Sequence, residues 1–145
     1  MIELCIMNIL IINGPNLNML GVREPEIYGS RTLAQINKDL DAFAASLKCK
    51  LEFFQSNCEG TLIDKLQTAK CDAIIINAGA YTHYSYALYD ALRVISVPKI
   101  EVHMTNVFAR EEFRHESVLS KAVRGVICGF GEDSYKLAIR ALCGC

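Results

Sequence analysis

Ile6-Met-Asn-Ile-Leu-Ile-Ile12, followed directly by Asn13-Gly-Pro-Asn-Leu-Asn18, decides how the rest of the chain is read. The apolar run is too short for a core helix and too uniformly apolar for a strand with one wet face, so it reads as a strand buried on both sides. Gly14 and Pro15 among asparagines then end the strand sharply and give it a polar tip.

The same pattern repeats down the chain. Short runs rich in Ile, Val or Phe occupy residues 51–54, 73–76, 100–102 and 126–128, giving five predicted strands. Between the first two, Leu33, Ile36, Leu40, Phe43 and Leu47 recur at helical steps behind a Thr32/Gln35 capping box. Leu62, Ile63, Leu66 and Ala69 mark a second helix, and Ala87, Leu88, Ala91, Leu92 and Ile95 a third, with Pro98 as its stop. Leu137, Ala138, Ala141 and Leu142 mark the last. Strand-helix alternation with near-continuous apolar strands implies a parallel sheet covered on both faces, in a flavodoxin-like, doubly wound α/β order. At 145 residues, 52% hydrophobic, the chain has the profile of one globular domain with a full-sized core and is read as a single catalytic domain over residues 1–145.

Composition narrows the function. A formal net charge of -1 offers no basic excess for a nucleic-acid backbone, so no nucleic-acid partner is expected. Glu3 and Asn8 interrupt the first apolar residues without a basic region or cleavage site, so neither signal peptide nor membrane span is expected. The seven cysteines show no C-x-x-C spacing, which points to a reducing, cytoplasmic setting with most thiols acting as small apolar side chains.

In open α/β sheets the ligand lies beyond the carboxyl ends of the strands. Those positions carry Asn13, Asn16 and Asn18, then Gln55-Ser56-Asn57, then Asn77 to His83, then His103-Met104-Thr105-Asn106, then Gly129-Phe130-Gly131. One Asn is ordinary turn chemistry. Recurrence at several strand ends suits a neutral, hydroxyl-rich ligand, because amides and imidazoles both donate and accept without fixed charge. The connection over residues 19–31 is long for its place and holds Arg23 and Tyr28 between Gly21 and Gly29, so it reads as a lid loop. Tyr28 alone could simply pack that loop. Glu101 and His103 alternate onto one face, so the carboxylate can orient the imidazole. His83 reads equally well as a structural histidine, and His115 as a solvated one. Arg110 and Arg114, four apart, either share a helical turn as a carboxylate clamp or pair with Glu111 and Glu112.

In chain order, Asn13-Gly-Pro-Asn-Leu-Asn18, Arg23-Glu-Pro, Tyr28-Gly29, Gln55-Ser-Asn57 with Glu59-Gly60, Ile76-Asn-Ala-Gly-Ala-Tyr-Thr-His83, Glu101-Val-His103, Arg110-Glu-Glu-Phe-Arg-His115 and Gly129-Phe-Gly131 closely resemble the type II 3-dehydroquinate dehydratases. The resemblance covers nearly the whole chain and implies anti elimination of water from 3-dehydroquinate through an enolate, in the shikimate pathway, with no cofactor and no metal. It implies Tyr28 as base, Arg23 as its support, His103 as general acid oriented by Glu101, and Asn16 as holder of a water at the enolate oxygen. Asn77, His83 and Arg114 would bind substrate hydroxyls, the backbone of Met104 and Thr105 the carboxylate, and Arg110 would order the lid. Asp90 would complete a neighbour's site in a homododecamer, a tetramer of trimers. Thr105 stands where many members have Ser, which keeps the hydroxyl.

A flavin- or nucleotide-binding module on the same fold is the alternative. Against it, there is no G-x-x-x-x-G-K-[ST], and Ser134 stands where a dinucleotide fingerprint after Gly129-Phe-Gly131 needs Gly or Ala.

Overall fold

The computed structural model describes residues 6–144. Five parallel strands, β1 (Met7–Asn13), β2 (Cys49–Gln55), β3 (Ala73–Asn77), β4 (Lys99–His103) and β5 (Gly125–Cys128), form one sheet in the order β2-β1-β3-β4-β5. This is the doubly wound, flavodoxin-like order expected. After β2 the chain crosses back to the far side of β1, so the direction of winding reverses between β1 and β3 and leaves a crevice at their carboxyl ends.

The helices are α1 (Pro25–Tyr28), α2 (Leu33–Ser46), α3 (Glu59–Thr68), α4 (Tyr86–Arg93) and α5 (Asp133–Cys143). Both sides of the capping box form at α2: Gln35 N–H donates to Thr32 Oγ1 at 3.2 Å and Thr32 N–H to Gln35 Oε1 at 2.9 Å. Such a cap contributes about 1 kcal/mol. Ile9, Ile11, Ile75 and Val102 point to one face against residues of α2 and α5, while Leu10, Ile12, Ile74 and Ile76 point to the other against α3 and α4. Each such aliphatic side chain contributes roughly 1.5–3 kcal/mol on burial. The alternation divides a uniformly apolar strand between two cores.

Several boundaries depart from expectation. Helix α3 begins before its first apolar marker and ends at Thr68, which leaves Ala69 extended. Helix α4 ends at Arg93, so Ile95 and Pro98 lie in the connection beyond it, and Pro98 does not itself stop the helix. Apolar periodicity marks the buried stripe and is silent about exposed end turns. The cysteines also depart from the reducing reading: Cys49 and Cys143 are bonded, with Cα atoms 7.4 Å apart across 94 residues. The start of β2 and the end of α5 meet at one edge of the core, a proximity no local spacing announces. Cys5 and Cys145 lie outside the described residues. Among those described, no helix is long and apolar enough to cross a membrane.

Candidate active site

The crevice floor is the β1–β3 junction. Gly14 N–H donates to the Asn77 carbonyl at 2.8 Å. A Cβ on Gly14 would stand 2.4 Å from the Ala78 carbonyl oxygen, so a side chain there would force the two strand ends apart. Below, the fully buried Tyr135 of α5 donates to Asn13 Oδ1 at 2.6 Å and accepts from Asn77 Nδ2 at 2.8 Å. Burial pushes its phenol far above the ordinary range, so it acts here as a neutral hydroxyl. Asn77 Oδ1 also accepts the Gly79 N–H at 3.2 Å, which fixes the amide that lines the cleft. Asn16 adopts a left-handed backbone (φ 69°) that Asn tolerates, and its N–H donates to Asn57 Oδ1 at 3.0 Å.

The tip of β4 supplies the second wall. Glu101 is wholly buried, and its Oε2 accepts His103 Nε2 at 2.6 Å, as alternation along the strand predicts. The ring of His83 stacks near that of His103, with centroids 6.4 Å apart. His83 Nδ1–H donates to the Glu116 carbonyl at 2.7 Å, and burial, chiefly, holds its imidazole below the ordinary 6.5. A neutral His83 therefore keeps Nε2 as an acceptor. Gly129 and Gly131 donate to the carbonyls of His103 and Met104, and Met104 and Thr105 line the cleft.

The third wall is residues 19–31. The stretch is not loop throughout: Pro25–Tyr28 makes one helical turn between Gly21 (φ 87°) and Gly29 (φ 83°). Pro at the first helical position, where the missing N–H costs nothing, explains the turn. The guanidinium of Arg23 lies 5.5 Å from the Tyr28 ring centroid and that of Arg110 5.3 Å. Arg110 also donates to Thr105 Oγ1 at 3.3 Å, so it bridges residues 19–31 and the β4 tip.

Arg110 and Arg114 do not share a helical turn. Arg110 is extended after a 3-10 turn at Val107–Ala109, and Arg114 belongs to a separate one at Glu112–His115. Both still line the cleft, Arg114 with its Nε on Glu111 Oε2 at 2.6 Å. His115, read as merely solvated, is exposed yet bonds the Arg110 carbonyl through Nε2 at 3.1 Å. Asn16, Arg23, Tyr28, Asn77, His83 and His103 thus meet in one cleft, with Glu101 behind His103. Asp90 is exposed on α4 and outside that cleft, while Leu88, Ala91 and Leu92 face inward. Residue patterns missed Thr82, Ser117 and Tyr135, which support the lining side chains from behind. Ser and Thr are too common for sequence alone to single them out.

A doubly wound sheet whose carboxyl edge joins an arginine-flanked tyrosine to a carboxylate-backed imidazole defines an α/β enzyme equipped for general acid–base work. Residues 7–143 match the family model described as dehydroquinase class II, and the chain belongs to that family. It is 55% identical over 137 residues to a 3-dehydroquinate dehydratase of Caldicellulosiruptor bescii, covering 92% of this chain and 94% of the relative. It is 53% identical over 138 residues to one from Prochlorococcus marinus, covering 94% and 95%. The crystal structure of a type II dehydroquinase from Butyrivibrio crossotus superposes with a TM-score of 0.92 at 49% identity, over 94% of this chain and 97% of that one.

Proposed function

We propose that this protein eliminates water from 3-dehydroquinate to give 3-dehydroshikimate, as a cytoplasmic enzyme of shikimate biosynthesis. The observation that carries the reading is the presence, in one cleft, of a tyrosine flanked by two guanidiniums and an imidazole backed by a buried carboxylate. Cations beside a phenol favour its anionic form. Tyr28, as tyrosinate, takes the proton from the carbon next to the ketone. The electron pair moves into the carbonyl, and the enolate oxygen meets a water positioned by Asn16. His103, protonated and oriented by Glu101, then gives its proton to the departing hydroxyl on the opposite face, and the carbon–carbon double bond closes as water leaves.

Asn77, His83 and Arg114 bind the hydroxyls, the backbone of Met104 and Thr105 takes the carboxylate, and Arg110 draws residues 19–31 over the substrate. Asp90 serves a neighbouring site in a dodecamer built of trimers. Support for that last point is positional: Asp90 faces outward on α4 beside the 70%-exposed ring of Tyr86. A fully active monomer in light scattering would refute it.

Purified protein mixed with 3-dehydroquinate should develop the ultraviolet absorbance of the conjugated enone, undiminished by chelator and dialysis. Absence of that signal refutes the substrate, and its loss on chelation refutes the metal-free route. Borohydride with substrate should leave no reduced lysine adduct in mass spectrometry, since no lysine lines the cleft among the described residues.

A further inference from the structure

We infer that Ser117, together with Thr82, is a positioning residue of this site: the two hydroxyls fix the Glu101 carboxylate that in turn fixes His103. The inference rests on the acid role proposed above for His103.

An ionised carboxylate accepts hydrogen bonds and donates none, so a wholly buried one needs donors for both oxygens. Glu101 has them without recourse to solvent. Its Oε2 accepts His103 Nε2 at 2.6 Å and Thr82 Oγ1 at 3.1 Å, and its Oε1 accepts Ser117 Oγ at 2.7 Å. Ser117 Oγ is itself aimed. It accepts the backbone N–H of Leu119 at 3.2 Å and of Ser120 at 3.1 Å, which occupies its lone pairs and commits its single proton to Glu101. Thr82 is wholly buried, with Oγ1 3.2 Å from Ser117 Oγ, so the two hydroxyls bracket the carboxylate.

The segment carrying Ser117 is anchored on both sides. Val118 N–H donates to the Thr82 carbonyl at 2.8 Å, and the Glu116 carbonyl takes the proton of His83 Nδ1. Adjacent residues, Glu116 and Ser117, therefore orient both imidazoles of the cleft, one directly and one through Glu101. Without the Ser117 hydroxyl, Oε1 has no donor, and the carboxylate must turn to recover one. That turn moves the oxygen aligned with His103, while Tyr28 and Arg23, on the lid, keep their contacts. Proton abstraction then continues while departure of the hydroxyl is impaired.

The test is Ser117→Ala in the full-length protein. Expected are a fall in kcat of about 10–100-fold with KM little changed, and a rise in exchange of the substrate's α-hydrogen with deuterated water relative to elimination. The low-field proton resonance shared by His103 Nε2 and Glu101 should shift or broaden, a readout that needs no turnover, and Ser117→Thr should restore both. Wild-type kcat, exchange ratio and resonance in Ser117→Ala would overturn the inference. If Ser117→Ala does not fold, Thr82→Val decides by the same resonance, and an unchanged signal there overturns it equally. Should wild-type protein prove inactive on 3-dehydroquinate, the functional reading falls, and the resonance still decides whether Ser117 positions the pair.

Discussion

His103 and Tyr28 line one cleft but are held in different ways. The imidazole ends a central strand, its partner Glu101 is completely buried, and two hydroxyls from other segments close the network. The phenol rides on a single helical turn between glycines of positive φ, beside an Arg23–Glu24 pair of 3.4 Å whose side chains are 40% and 43% exposed. An exposed pair of that kind contributes at most about 1 kcal/mol. The imidazole wall is therefore fixed by the fold itself. The phenol wall rests instead on one short helical turn and an exposed ion pair.

The largest effect belongs to the wall formed by residues 19–31. Tyr28→Phe should lower kcat by roughly 10²–10⁴-fold while product-like ligands still bind, because only the proton-accepting oxygen is lost. Near-normal turnover would remove Tyr28 as the base and make His83 the next candidate. Arg23→Ala should also slow turnover severely.

On the fixed wall, His103→Ala should cost elimination a comparable factor yet leave exchange of the substrate's α-hydrogen with deuterated water measurable. Tyr28→Phe should abolish both. If the two variants lose exchange equally, the division of labour between the walls is wrong.

A smaller effect tests the tether. Arg31, the last residue of the 19–31 stretch, pairs at 2.5 Å with Asp39 of α2 and with Glu132 just before α5. Arg31→Ala should raise KM a few-fold and speed proteolytic cutting within residues 19–31, with little change in melting temperature. Unchanged cutting would show that this stretch is anchored elsewhere.

The smallest effect concerns pH. Burial, chiefly, holds His83 below its ordinary 6.5, so the unfolded chain binds that proton more readily than the folded one. Its contribution is intact above 6.5 and is lost as pH falls through the folded value. Thermal melts should therefore show a modest loss between pH 7.5 and 5, smaller in His83→Gln. Equal losses would assign the acid sensitivity to other groups.

What could be read without coordinates was whatever depends on near neighbours in the chain. Strand runs, the Thr32/Gln35 cap, the inward faces of α2 and α4 and the Glu101–His103 alignment all follow from periods of about 2 and 3.6 residues, which any short window carries. The positions at strand tips follow from topology, so the cleft-lining residues were legible too. Helical spacing misled between Arg110 and Arg114, because two 3-10 turns interrupt it. The tertiary structure alone decided what stands behind those side chains. Tyr135 reaches Asn13 across 122 residues and Asn77 across 58, Ser117 reaches Glu101 across 16, and Cys49 meets Cys143 across 94. Crossover connections in a parallel sheet bring such segments together, and where they touch is set by the packing of whole helices on the sheet, a quantity that no local period encodes.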